Sequence, residues 1–221
     1  MGSDDLFHKR KAKVADNLRR KKAKRAQYAK VLIVCEGEKT EPLYFEDLVS
    51  ENSLNSANVE IDGSCGSSPK SVFEHAVSLW EEEQRRGDPF DQVYCVFDKD
   101  THQSYEETLT RIASQKPEDV FFATFSVPCF EYWLLLHFVY TTKPYTTTGA
   151  TSCAEEAIKD LHKFMPNYNK GDTAIYATLK DQLSFAKENA ERSLKHATST
   201  HTDNPSTNIY ELVDLLEKLK E

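Results

Sequence analysis

Short hydrophobic runs alternate with amphipathic stretches through the first 140 residues of the chain. The runs are rich in β-branched and aromatic residues, as is typical of strands buried on both faces, and they lie at 31–35, 59–61, 92–97 and 120–125. The stretches between them carry apolar residues at helical spacing. Strands that alternate with helices predict a parallel sheet with right-handed crossovers. We therefore expect an α/β fold with a parallel sheet of about four strands flanked by helices.

The pattern changes after residue 140. Residues 141–152 are rich in Thr and Gly and are predicted to form a loop. Beyond them the apolar spacing predicts only helices, at about 153–164, 174–194 and 207–220, and the Asn-Pro-Ser-Thr segment at 204–207 is expected to begin the last one. The predicted organisation has three parts, namely an N-terminal arm (1–30), an α/β domain (31–140) and a helical C-terminal region packed on it (141–221).

Charge is distributed unevenly along the chain. Residues 1–30 contain 11 Lys or Arg and 3 Asp or Glu, whereas the whole chain has a net charge of −8, so that residues 31–221 carry −16. A basic arm on an acidic body suggests contact with nucleic acid or with an acidic face of another protein. The alternative is a solubilising tail. The candidate nucleic-acid contacts in the arm are Arg19, Arg20, Lys21, Lys22, Lys24 and Arg25.

Several classes of protein are disfavoured by the sequence. The longest apolar stretch is too short to span a bilayer, and no apolar segment follows the basic N-terminus as in a secretory signal. The five cysteines never form a C-x-x-C pair, and the histidines form no zinc-binding pattern, so free thiols in a reducing cytoplasm are expected. The chain contains no Walker A sequence, which disfavours ATP hydrolysis by the chain itself.

Three acidic residues follow two of the predicted strands. Glu36 comes directly after the first run, and Asp98 and Asp100 follow the third. The carboxyl ends of parallel strands face the crevice in which open α/β sheets bind ligands. Carboxylates that meet there without an evident basic partner repel each other, and a divalent metal is the simplest way to hold them together. The sequence therefore predicts a metal site formed by these side chains.

Four segments of the chain resemble known motifs. Residues 31–125 resemble a Toprim domain, with a strand that ends in Glu36-Gly37 and a later D-x-D motif at Asp98-Lys99-Asp100. Four segments, in this order, resemble the RloB-like family of prokaryotic antiviral defence proteins, namely 36–45, 98–100, 126–138 and 204–207. This resemblance extends over nearly the whole chain.

The resemblance implies a metal-dependent nuclease that is related to the OLD-type nucleases. Such an enzyme would use Mg²⁺ or Mn²⁺ to cleave phosphodiester bonds in RNA, including tRNA, or in DNA. OLD enzymes hold an ATPase and a Toprim domain in one chain, whereas here a separate partner ATPase would control the nuclease. The alternative is a Toprim-like module that binds nucleic acid or the ATPase without cutting.

Each candidate site residue has an expected role. Glu36 would be a metal ligand or general base, and Asp98 and Asp100 would be metal ligands. Glu41 is either a further ligand or a first-turn residue that complements the helix dipole. Glu131 is either a ligand, as the resemblance to OLD-type nucleases favours, or an ordinary first-turn residue with satisfied hydrogen bonds.

Two lysines flank the acidic residues. Lys39 follows the first motif, and Lys99 lies inside the D-x-D motif. Each is expected either to contact a substrate phosphate or only to relieve repulsion among the carboxylates. His137, on a mostly apolar helix, is predicted to be a core or interface residue.

Overall fold

The computed structural model describes residues 29–55, 58–100 and 102–219. A five-stranded sheet in the order β2-β1-β3-β4-β5 forms its centre. The first four strands are parallel, as predicted, and the short fifth strand runs antiparallel to β4. The strands are β1 (Val31–Cys35), β2 (Val59–Asp62), β3 (Gln92–Asp98), β4 (Phe121–Val127) and β5 (Ser206–Thr207).

Helices connect the strands and continue after the sheet. The first four are α1 (Thr40–Glu51), α2 (Pro69–Arg85), α3 (Tyr105–Ser114) and α4 (Phe130–Leu135). The C-terminal region contributes α5 (Cys153–Leu161), α6 (Ile175–Leu179), α7 (Leu183–Thr200) and α8 (Ile209–Lys218). The α/β fold with a mostly parallel sheet, which is typical of Rossmann-like proteins, is thus confirmed.

The prediction that the C-terminal region contains only helices is wrong. Ser206 and Thr207 do not begin the last helix but pair with Val127 and Ser126 at the edge of the sheet. Asn208 fixes this pairing, because its side chain accepts a hydrogen bond from the Phe125 amide at 2.7 Å. These contacts are made with residues about 80 positions earlier, so that local sequence carries no signal for them.

Several predicted helix boundaries also shift. The single helix expected at 174–194 is divided into α6 and α7 by a 3₁₀ turn at Lys180–Gln182. The apolar helix expected to reach residue 138 ends at Leu135. Thr40, the expected N-cap of α1, is its first helical residue, and Lys39 occupies the cap position. None of these shifts moves a candidate site residue to a different end of its strand or helix.

Alternate residues of β1 pack into two hydrophobic cores on opposite faces of the sheet. Leu32 and Val34 face the core that contains α2 and α3. Val31 and Ile33 face the other core, which is shared by α1, α4 and the C-terminal helices. The C-terminal region therefore shares a core with the sheet.

Lys30 ties the start of the folded region to the sheet. The sequence predicts that Lys30 is the last residue of the N-terminal arm. Its side chain is nevertheless buried, and it donates hydrogen bonds to Glu83 at 2.6 Å and to the Asp88 carbonyl at 2.8 Å. The basic residues predicted to contact nucleic acid, 19–25, lie outside the described residues. Their role stays a prediction.

Two loops at the carboxyl edge of the sheet pack closely against each other. Gly63 follows β2, and a Cβ at this position would overlap the carbonyl oxygen of Gly37 and lie 2.7 Å from Pro42 Cγ. Only a residue without a side chain allows this approach. The contact fixes the loop that follows Glu36 against the end of β2.

We expect Gly63→Ala to lower the free energy of unfolding by about 1–3 kcal/mol, because its methyl group displaces backbone atoms. Urea unfolding monitored by circular dichroism measures this change. Gly66→Ala is the matched control, since its Cβ would meet only the Ser71 side chain, at 3.2 Å and 3.4 Å, and no backbone atom. Equal unfolding free energies for the two variants would show that the loop contact does not stabilise the fold.

Candidate functional site

The strand order reverses between β1 and β3, which places a crevice at their carboxyl ends. Glu36 and Asp98 lie on the two sides of this crevice. The Glu36 amide continues the sheet by donating to the Val96 carbonyl at 2.9 Å. The Asp98 amide donates in turn to Glu36 Oε2 at 3.2 Å. The backbone of β3 therefore orients the first acidic side chain.

A cavity of about 390 Å³ opens at this edge of the sheet. Four separate segments contribute acidic side chains to its wall, from the ends of β1 and β3 and from the first turns of α1 and α4. All five carboxylates predicted as metal ligands line it, namely Glu36, Glu41, Asp98, Asp100 and Glu131. The fold thus brings together residues that are up to 95 positions apart in the chain.

Asp98 lies in an unfavourable environment for a charged carboxylate. Burial raises its pKa well above the ordinary value, and the charges of Glu41, Glu131 and Glu36 raise it further. The backbone N–H of Phe130, at the start of α4, opposes this shift with a hydrogen bond. Asp98 therefore stays protonated to a higher pH than an exposed aspartate in the metal-free protein.

Glu41 is 7% exposed and faces the same cavity from the first turn of α1. Burial raises its pKa to about 8. A hydrogen bond from its own backbone N–H opposes the shift, Glu131 and Glu36 add to it, and Lys170 reduces it. A buried first-turn carboxyl group that faces other carboxylates is compatible with both expected roles, because the helix N-terminus and a cation would each stabilise its charged form.

Two basic side chains, His102 and Lys170, form ion pairs with the carboxylates, and no sequence motif indicates either of them. His102 Nε2 lies 3.2 Å from Glu36 Oε1. Burial raises the Glu36 pKa, whereas the Asp98 amide and His102 act against that shift. His102 follows the D-x-D motif by two residues, so its position was visible in the sequence, but no metal-binding pattern singled it out.

Glu131 is the most deeply buried member of the cluster, with 1% of its surface exposed. Its Oε1 accepts a hydrogen bond from the Tyr168 hydroxyl at 3.1 Å, and Lys170 Nζ lies 3.3 Å from the same oxygen. Its Oε2 has no hydrogen-bond partner within the described part of the chain. Tyr168 and Lys170 lie in the loop between α5 and α6, where the sequence gives no signal of a functional role.

The D-x-D motif leaves the strand in an irregular turn. Asp100 adopts a positive φ of 34°, and its amide donates to the Pro128 carbonyl at 3.1 Å. Its Oδ1 accepts a hydrogen bond from the Cys153 thiol at 3.4 Å. This turn lets Asp98 and Asp100 line one cavity while Lys99, between them, turns away.

Lys99 and Lys39 have different surroundings. Lys99 forms ion pairs with Asp203 and Glu106, and it lines a neighbouring cavity of about 580 Å³. Lys39 is exposed and lines the carboxylate cavity. Of the two flanking lysines, Lys39 is therefore the one whose position matches the predicted phosphate contact.

The segment at 203–207 supports the D-x-D turn from the C-terminal region. Asp203 pairs with Lys99, and β5 pairs with the end of β4. The Asn204 side chain accepts from the Tyr145 amide at 3.0 Å and donates to the Tyr145 carbonyl at 2.6 Å. The segment at 203–207 thus contacts the D-x-D turn through Asp203 and the edge of the sheet through β5.

A family model described as "RloB-like protein" matches residues 31–216. The chain belongs to the RloB-like family. The match covers both the sheet and the C-terminal helices, in agreement with their shared core. No curated protein and no solved structure matches the chain.

A divalent metal needs several donor atoms close enough to hold it. In residues 29–55, 58–100 and 102–219, no three His, Cys, Asp or Glu side chains are placed to hold an ion directly. However, the five candidate donors are carboxylates, which Mg²⁺ and Mn²⁺ prefer, and Mg²⁺ usually keeps several of its waters. The buried Glu131 Oε2 also lacks a partner. The residues therefore fit a hydrated divalent ion.

Among the described residues of this RloB-like chain, no helix is both long enough and apolar enough to cross a membrane.

We expect Glu41→Gln to flatten the pH dependence of stability in metal-free buffer. Because the folded-state pKa of Glu41 is raised from 4.5 to about 8, the folded protein binds more protons than the unfolded chain in this range, and stability falls as the pH rises. The slope attributable to this group is about 1.4 kcal/mol per pH unit. Urea unfolding between pH 5 and pH 8 in EDTA measures it.

Glu46→Gln is the control for this measurement, since Glu46 lies on the same helix with its side chain exposed to solvent. We expect this variant to follow the wild-type pH dependence. If the unfolding free energy of Glu41→Gln falls with pH as steeply as that of the wild type, the raised pKa of Glu41 is contradicted.

Proposed function

We propose that this RloB-like chain is a metal-dependent nuclease that cleaves phosphodiester bonds in RNA, including tRNA, or in DNA. The supporting observation is the convergence of five carboxylates from four chain segments on one cavity at the carboxyl edge of the sheet. Placing carboxylates together in a partly buried site is costly, and a bound divalent cation offsets that cost. Such arrangements are typical of metal sites rather than of structural ion pairs.

The chemistry expected of the site follows from its donors. A bound Mg²⁺ or Mn²⁺ would polarise the scissile phosphate and lower the pKa of a water molecule. Glu36 is held by the Asp98 amide and His102, so its carboxyl group is oriented to accept a proton from an attacking water. Asp98 and Asp100 would hold the cation, with Glu41 and Glu131 as further ligands. Lys39, which lines the cavity, would contact a substrate phosphate.

The biological setting is proposed from the family resemblance. The resemblance to the RloB-like family implies a role in prokaryotic antiviral defence, and the chain lacks a Walker A sequence, so we propose that a separate ATPase controls it in the cytoplasm. The excess negative charge of residues 31–221 is compatible with a resting state that binds polyanions weakly. Activation would then require a partner or the basic arm.

A binding module without cleavage is the second candidate. It is favoured by the finding that no three side chains in the described ranges are arranged to hold a metal directly. Such a module would bind nucleic acid or the partner ATPase through the same surface. In that case the acidic residues would contribute to the shape of the surface and not to chemistry.

We expect Asp98→Asn and Glu36→Gln to reduce cleavage at least 100-fold, because each removes a group that is needed for metal binding or proton transfer. The full-length protein, alone and with its ATPase, is incubated with single-stranded RNA, tRNA and plasmid DNA in Mg²⁺ or Mn²⁺, and the products are separated on denaturing gels. EDTA should abolish cleavage by the wild type.

Asp119→Asn is the matched control, since Asp119 is exposed just before β4, at the opposite end of the sheet from the cavity. We expect it to cleave as wild type does. Undiminished cleavage by the Asp98 and Glu36 variants would remove these residues from the proposed role. Nucleic-acid binding without cleavage, equal in all variants, would support the binding module instead.

A further inference from the structure

Lys170 places a positive charge inside the carboxylate cluster. Its Nζ lies 3.3 Å from Glu131 Oε1, and it lines the same cavity as the five carboxylates. Its ammonium group also interacts electrostatically with Asp98 and Glu41. The positive charge of Lys170 therefore reduces the repulsion among the carboxylates, as a divalent cation bound there would.

The loop that carries Lys170 is anchored at a neighbouring residue. Tyr168 is 4% exposed, donates to Glu131 Oε1, and accepts a hydrogen bond at its carbonyl oxygen from His162 Nε2 at 2.9 Å. Gly171, at a φ of 92°, lies against the Lys39 side chain. The backbone around Lys170 is thus held in place independently of the lysine side chain.

The Lys170 side chain is half-exposed to solvent. It is 53% exposed, whereas its partner Glu131 is 1% exposed. Moving the ammonium group into solvent restores its hydration, but it leaves a buried carboxyl group whose Oε2 already lacks a partner. The pair is therefore asymmetric, because Glu131 requires a cationic partner and Lys170 does not require Glu131.

We propose that Lys170 is a displaceable counter-ion that neutralises the carboxylate cluster when no divalent cation is bound and competes with that cation for Glu131. This proposal rests on the metal site of the proposed function. The competition lowers the apparent affinity for the metal, and the release of Lys170 leaves its ammonium group at the mouth of the cavity. Metal binding and the charge presented to a substrate are thereby coupled.

The test measures Mn²⁺ binding directly, by electron paramagnetic resonance of free Mn²⁺ and by calorimetry, with the full-length protein and no substrate. We expect Lys170→Met to bind Mn²⁺ about fivefold more tightly or better, because the competing charge is gone. We also expect its metal-free form to melt at a lower temperature than wild type, and Mn²⁺ to raise that temperature by more.

Lys39→Met is the matched control, since it removes the same charge from the same cavity at a side chain that lies against Gly171. We expect its Mn²⁺ affinity to change less than about twofold, because Lys39 is not paired with Glu131 as Lys170 is and its charge is screened by solvent. An equal gain for both variants would indicate general electrostatics and overturn the proposal. Weaker nucleic-acid binding with unchanged Mn²⁺ affinity in Lys170→Met would overturn it as well.

A double variant covers the case in which Lys170→Met is poorly folded without metal. Glu131→Gln with Lys170→Met removes both charges, so we expect the metal-free stability to recover and the gain in Mn²⁺ affinity to disappear. Retention of the gain in the double variant would overturn the role of Glu131, and with it the proposal.

The outcome is separable from that of the nuclease assay. Tighter Mn²⁺ binding in Lys170→Met without any cleavage would leave the counter-ion standing and remove the nuclease. Cleavage by the wild type with unaltered Mn²⁺ affinity in Lys170→Met would support the nuclease and overturn the counter-ion proposal. The absence of Mn²⁺ binding at millimolar concentration in every variant would overturn the counter-ion proposal.

Discussion

Carboxylates at the carboxyl ends of β1 and β3 repel each other, and the contacts around the site reduce the cost of this repulsion. Burial and mutual charge disfavour the ionised form of Asp98 and Glu41, and the protein offsets this cost with a few directed contacts. The backbone amide of Phe130 supports Asp98, and Lys170 supports Glu131. These contacts come from different layers of the fold. The arrangement of the C-terminal region is therefore tied to the chemistry of the sheet edge.

The C-terminal region contributes to the site in two ways. Its loop at 166–173 supplies Tyr168 and Lys170 to the buried Glu131. Its segment at 203–207 adds β5 to the sheet and fixes Lys99 through Asp203. Because both features depend on the helices that share a core with α1, loss of packing there would change the position of the acidic side chains. Stability and site geometry are coupled through this shared core.

Sequence patterns predict the features that depend on neighbouring residues. The buried strands were recognised from their hydrophobic runs, and the acidic residues at their ends followed from the rule for open sheets. In contrast, β5 has two residues, too few for a period to be detected, and Asn208 holds it against β4 by contacts about 80 positions away. Lys170 reaches Glu131 only because α5 packs on α4. Such tertiary contacts leave no local pattern.

The D-x-D turn explains why the two flanking lysines differ, and it bears on how a polyanion approaches the cavity. Lys99 turns to Asp203 and Glu106, so its charge is already neutralised away from the site. His102 and Lys170 are likewise paired, with Glu36 and Glu131.

In the metal-free protein His102 and Lys170 are therefore paired with carboxylates of the site, whereas the exposed Lys39 also lines the cavity. Under the counter-ion proposal, a divalent cation in the cluster would neutralise the carboxylates and would also free Lys170 from Glu131. Local attraction for a phosphate, to which Lys39 already contributes, would then increase when the metal binds, although residues 31–221 carry a net charge of −16. Such a site would couple substrate binding to metal binding without any movement of the backbone.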